Sequence, residues 1–260
     1  MAATPTEDGP IDKDRPSLLL LLVDALAFLV RKRVEFLTIV LPIAGIAAGI
    51  AWMLGTQRLL IHWRGHWGWD FLFVLIYAMF LDRWIKESLL DGAVDCEEVD
   101  MLRRSLITPR FLAFAAGLFA LAGALSVLPW MVPMILCIAI VALLALALPS
   151  FSTAEPIGFI EALRMGRPVR TTLIVLIALT ALLSVADDIA LHWALLHLPA
   201  KPWIAPAMAA AQRFVDCILL ALVGHVLASL YERLADWTPP EPEDHPFRGQ
   251  KWARPRAPRH

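Results

Sequence analysis

The residues able to do chemistry are few, and they sit in apolar company. Arg213 and Asp216 lie inside the long apolar run Trp203–Tyr231. In the run before it, Thr180, Ser184, Asp188 and His192 recur every fourth residue, with Asp187 alongside. That spacing lines one face of a helix. Ionisable groups are costly in hydrocarbon, so they mark either a pathway or specific packing. At 100° per residue Asp216 stands about 60° from Arg213, and Ala209, Cys217 and Gly224 fall within roughly 40° of it. Small residues on that face let another helix approach closely. Tyr231 to Arg213 is about 27 Å of helix and Thr171 to Asp187 about 24 Å, so arginine and acids are expected at one height. The expected arrangement is Arg213 paired with Asp187, Asp188 or Asp216 in the outer part of a bilayer, where its stem reaches towards headgroups. Two uses stay open: an ion pair that fixes packing, or a polar cavity for an anionic lipid headgroup, a proton or a cation.

Other constellations point to less. His62, His66, His192 and His197 are irregularly spaced at wet ends, and His225 has no visible partner in the sequence, so neither haem nor a metal is expected. Cys96, Cys137 and Cys217 share no close spacing and form no disulfide framework. Glu87, Asp91, Asp95 and Glu98 share a helix face, read as solvated and balanced by Lys86, Arg103 and Arg104. There is no Gly-rich phosphate loop, nucleophile elbow or His-Glu zinc motif. The expectation is a protein without cofactor and without catalysis.

The elements that must position these residues are membrane spans. Of 260 residues, 59% are hydrophobic and 18% charged, and mean hydropathy is +0.66. Soluble domains are less apolar and more charged. A formal net charge of −1 gives no general field for nucleic acid. The pattern predicts an all-α bundle of six spans at about 34–54, 67–81, 111–128, 131–148, 171–191 and 205–231. Two interfacial amphipathic helices accompany them. One is Leu18–Val30, too short to cross and striped by Ser17, Asp24 and Arg31; half of a re-entrant pair is the alternative for it. The other opens near Glu155-Pro156 and carries Ile157, Ile160 and Leu163. Gly45 and Gly49 offer a close approach to a neighbouring helix. Residues 1–15 and 235–260 read as disordered tails. The N-terminus lacks the features of a signal peptide. The loops opposite the termini hold only Arg58, Arg64 and Lys201, and Arg213 is within a span; the rest of the 23 Lys and Arg fall on the side of the termini. The positive-inside rule places both termini in the cytoplasm.

Leu146-Ala-Leu-Pro149, Glu155-Pro-Ile-Gly158, Glu161-Ala-Leu163 with Arg164, and the closing Leu230-Tyr-Glu-Arg-Leu234 carry a family likeness. Together with the six-span layout, they resemble the bacterial glycerophosphoryl diester phosphodiesterase membrane-domain family and its inner-membrane relatives. The likeness extends over residues 16–234. It departs from the family in the looser spacing between Pro149 and Glu155. The resemblance implies an architecture and a bacterial inner-membrane location. It implies no hydrolysis, because a separate soluble domain does that in the named enzymes. The function expected is a scaffold or accessory subunit in the lipid bilayer, touching anionic lipid or another membrane protein. A small transporter or lipid translocator using the Arg213 cluster is the alternative.

Overall fold

A computed structural model describes residues 17–54, 67–93, 97–125, 131–153, 157–198 and 201–239. All regular structure among them is helical. The helices are α1 (Leu18–Arg31), α2 (Arg33–Leu54), α3 (Trp67–Leu89), α4 (Glu97–Arg104), α5 (Pro109–Leu125), α6 (Met131–Leu144), α7 (Ala147–Ser152), α8 (Phe159–Met165), α9 (Arg170–His197) and α10 (Ile204–Ala235). A 3-10 turn at Arg167–Val169 leads into α9. The expected tail 1–15, most of 235–260, and the loop carrying His62, Trp63 and His66 lie outside the described residues.

Three of these helices, not the six expected, are long and apolar enough to cross a bilayer: Arg33–Leu54, Arg167–His197 and Ile204–Ala235. The reasons differ for the other three. Helix α3 does not stop at Leu81 but runs on through Asp82, Arg83, Lys86 and Glu87, and these charges lower its hydropathy. Within the described residues α5 covers 17 positions and α6 covers 14. At 1.5 Å per residue, helices of these lengths reach about 26 Å and 21 Å, short of the ~30 Å hydrocarbon core. The apolar run after Met131 turns at Ala145-Leu146 and continues as the buried α7. Pro149 is tolerated there because the first turn of a helix needs no amide hydrogen bond. Glu155 and Pro156 lie outside the described residues, and α8 starts at Phe159 behind Gly158.

Helix α10 is the axis. It packs chiefly on α2 and α3, and also on α1 and α9. Helices α1 and α2 both run antiparallel to it: Asp24 meets His225, and Phe36 meets Phe214. The two are separated only at Lys32 (φ −94°, ψ 24°), whose N–H bonds to the Phe28 carbonyl and whose carbonyl accepts from Phe36. One apolar cluster gathers Phe28, Phe36, Val40, Phe80, Trp84, Cys217 and Ala221. Trp84 is its hub, edge-on to Phe28 at 5.4 Å and Phe36 at 5.6 Å, and stacked on Phe80 at 6.1 Å. A second cluster joins α1, α3, the α6–α7 turn, α9 and the last third of α10. Helix α9 presents Val175, Leu182, Val185 and Ile189 outwards.

The close helix approach is at Gly224 and not at Gly45 or Gly49. A β-carbon on Gly224 would lie 2.9 Å from Leu81 Cδ1 and 3.4 Å from Trp84 Cδ1. On Gly45 or Gly49 it would meet nothing within 4 Å. Overfilling a packed contact costs about 1–3 kcal/mol. Gly224→Val should therefore lower the thermal midpoint of the purified protein in detergent, while Gly45→Val leaves it close to that of the parent. Equal midpoints for the two variants would contradict this packing.

Candidate functional site

Arg213 finds its partners on α3 and on its own helix, not on α9. Its Nη1 donates to Asp216 Oδ2 at 3.0 Å, one turn along α10, and to the Tyr77 hydroxyl at 3.1 Å. Tyr77 in turn donates to Asp216 Oδ2 at 2.6 Å. The guanidinium lies 4.3 Å from the centre of the Phe73 ring, and the Tyr77 ring is 5.8 Å away. Cation–π contacts contribute about 0.5–2 kcal/mol according to desolvation. Phe73 and Tyr77 are one turn apart on α3, so a single helix face supplies both the ring beneath the arginine and the hydroxyl beside it.

The acids of α9 are arranged differently from the sequence expectation. Asp188 accepts a 2.5 Å hydrogen bond from Gln212 Nε2, the residue before Arg213. Asp187 Oδ2 is buried and has no hydrogen-bond partner among the described residues. Ser184 is half-buried and His192 exposed. Thr180 bonds back to the Leu176 carbonyl within its own helix at 2.8 Å. The α9–α10 link is thus Asp188–Gln212, and the α3–α10 link is Tyr77–Asp216–Arg213. Arg213 lies on a covered face of α10, and α3 supplies the cover through Phe73 and Tyr77, two residue types common in membrane helices.

A buried ionic network occupies the second half of α3. Lys86 is 1% exposed, Asp82 3% and Glu87 5%. Lys86 Nζ lies 2.7 Å from Asp82 Oδ2 and donates to the Ser105 carbonyl at 3.1 Å. Ser152 of α7 donates to Asp82 Oδ1 at 2.7 Å. Glu87 pairs with Arg83 at 2.9 Å and faces Arg103 Nε at 3.6 Å. Arg83 also donates to the Arg103 carbonyl. Glu87 is therefore sealed inside the bundle and not on a solvated face. Asp91 pairs with Arg31 of α1. Asp95 and the side chain of Glu98 are outside the described residues. The clue available in the sequence was the i,i+4 pairing of Asp82 with Lys86 and of Arg83 with Glu87, which neutralises each charge on its own helix.

His225 also has partners. Its Nδ1 lies 3.1 Å from Ser88 Oγ and its Nε2 3.2 Å from Asp24 Oδ2, while its ring stacks on Phe28 at 4.3 Å. These residues are far apart in the chain and lie on α10, α3 and α1, so no local motif announces them. Cys217 is free and buried; Cys96 and the side chain of Cys137 lie outside the described residues. No group of three or more potential metal ligands occurs among the described residues. No protein-family model matches the chain, and no curated protein or solved structure gives a significant match.

Removing one member of a buried ion pair strands the other and costs about 3–5 kcal/mol, whereas replacing both with apolar groups is often neutral. Asp82→Leu alone should sharply lower the yield of folded protein and its thermal midpoint. Asp82→Leu with Lys86→Met should recover much of both. A double variant no better than the single one would show that the network holds α3 and α7 through more than charge balance.

Proposed function

We propose that the protein is a non-enzymatic, multi-pass scaffold or accessory subunit of a bacterial inner membrane, in contact with lipid and with a partner membrane protein. The observation that carries this reading is how the interhelical charges are used. Arg213, Asp216 and Tyr77 satisfy one another, as do Asp82, Lys86 and Ser152, so the groups best suited to chemistry hold helices together. Apolar side chains such as Leu41 on α2 and Leu182 and Ile189 on α9 point outwards, as lipid contact requires. A multi-pass layout and the membrane-domain resemblance belong to the same proposal.

Depth supports a structural task for the pair. Helix α10 has 32 residues, about 48 Å, and exceeds the ~30 Å core, so Tyr231 is a poor marker of the membrane edge. Trp193 and Trp203, both exposed, suit the outer aromatic belt. From Trp203, Arg213 is about 15 Å in, near mid-core, where an uncompensated charge is most costly. An arginine there needs a carboxylate, and Asp216 provides it.

Both termini are proposed to face the cytoplasm. The run of α1–α2 along α10 supports a shared side for the start of α1 and the end of α10, and the excess of Lys and Arg near both supports the cytoplasm as that side. A phosphatase reporter, active only outside the cytoplasm, should be silent when fused after His260. An active fusion would reverse the orientation.

A transporter or lipid translocator remains the second reading, favoured by the Asp187 oxygen that has no partner among the described residues, beside the Asp188–Gln212 bond. Arg213→Ala separates the two. As a scaffold, the protein should fall several-fold in membrane abundance and lose the proteins that co-purify from native membranes. Normal abundance and an unchanged set of partners, with altered lipid or ion flux in reconstituted vesicles, would favour translocation.

A further inference from the structure

We propose that the segment from α8 to the start of α9, with the start of α5 beside it, binds the headgroup of an anionic phospholipid in the cytoplasmic leaflet. The site rests on the lipid contact proposed above and adds to it a lipid class and the residues that take it. Arg164, Arg167 and Arg170 fall within seven residues, and Glu161 is the one acid between Ile157 and Arg170. Among the described residues none of these arginines, nor Arg110, forms an ion pair, whereas Arg31, Arg83, Arg103, Arg104 and Arg213 each do. Arg110, Arg164 and Arg167 are exposed and Arg170 is half-buried. A guanidinium left free at a membrane surface suits a phosphate, which its planar fork can meet with two hydrogen bonds.

The fold fixes this segment from its inner side. Ala162 and Val169 are buried. Between them, a β-carbon on Gly166 would stand 3.6 Å from Leu146 Cδ1 and 3.9 Å from Leu173 Cδ1. Phe159 packs its ring on Phe114 of α5 at 6.0 Å and on Phe151 of α7 at 5.7 Å. Arg110 is one turn before Phe114 and shares its face of α5, so a fourth arginine belongs to the side where α8 docks. With Ala162, Gly166 and Val169 turned in, Ile160, Arg164 and Arg167 are turned out. Ile160 is 69% exposed and one turn from Arg164 on the same face. An apolar side chain next to a free charge matches an acyl chain next to a phosphate. A free phosphate ion would need no apolar neighbour.

The depth of the segment suits a headgroup. Counting down α9 from Trp193 in the outer belt, a core of ~30 Å ends about 20 residues on, near Leu173. Arg170 comes one turn later, at headgroup level, and the 3-10 turn beside it holds Arg167. The negative surface of the cytoplasmic leaflet attracts basic groups placed there.

Native mass spectrometry of the full chain in detergent tests this. The protein is titrated with phosphatidylglycerol or with phosphatidylcholine of the same acyl chains, at matched ionic strength. Phosphatidylglycerol should be retained and phosphatidylcholine largely lost, and excess inorganic phosphate should not displace the bound lipid. Each arginine removed should weaken retention about fivefold, so Arg164→Ala with Arg167→Ala loses most of it. The corresponding double lysine variant keeps the charge without the fork and should fall between the two. Arg104→Ala, at an exposed arginine already paired with Asp100, should retain lipid like the parent. If the alanine variant fails to fold, the parent's preference between the two lipids decides. Equal retention of both lipids, displacement by phosphate, or an equal loss in Arg104→Ala would overturn the proposal. So would an alanine variant that keeps its phosphatidylglycerol and instead loses a co-purifying protein, which would make an acidic partner the occupant. This result is read from bound lipid and the scaffold reading from co-purifying proteins, so the two can fail separately.

Discussion

The closeness of α3 and α10 at Gly224 governs where polar groups in this bundle can find partners. With no side chain at that point, Leu81, Trp84 and Ile85 sit directly on the α10 backbone. Two helices held that close and running the same way keep their residues in step over several turns. Above the contact Tyr77 is level with Asp216, and below it Ser88 is level with His225. Were the axes farther apart, neither hydroxyl would reach its partner, and Arg213 would lose the ring of Phe73 as well as a hydrogen bond.

Polar groups along α3 thus fall into three levels with different solutions to one problem, the cost of a polar group away from water. Arg213, Asp216 and Tyr77 share a compact triangle in which one carboxylate oxygen accepts from two donors. The middle level is an ionic pair on a single helix, tied to α7 by Ser152 and to the chain after α4 by the Ser105 carbonyl. The lowest level uses the hydrogen-bonding ring of His225 and is the one most open to water, through Asp24. Between them lie Phe80, Trp84 and Ala221, a dry layer that keeps the levels apart.

Much of the helical layout was legible because apolar runs and charge clusters punctuate the chain. The starts of α2, α9 and α10 follow from where charge or proline gives way to long apolar stretches. The extension of α3 past Leu81 was not legible, since Asp82, Arg83, Lys86 and Glu87 look like a solvated face until α7 and the segment after α4 cover them. In the site, the line of Asp187, Asp188 and Arg213 pointed to a shared level on α9 and α10, which the Asp188–Gln212 bond joins. It missed α3, because a tyrosine and a phenylalanine in a span carry no mark that distinguishes a partner from filler. His225 was missed for the complementary reason: its partners are separated from it by most of the chain.

The dependence of α3 on α10 also has a direction in time. Tyr77 and Ser88 leave the ribosome long before Asp216 and His225, so the first half of the bundle enters the membrane with hydroxyls that have no final acceptor. The pairs Asp82–Lys86 and Arg83–Glu87, by contrast, close within a turn of one helix as soon as it forms. Early steps are self-sufficient in charge and incomplete in hydrogen bonding, and arrival of the last described helix completes them. A chain halted before α10 would carry an unfinished α3 face, a feature by which membrane quality control could tell it from the finished protein.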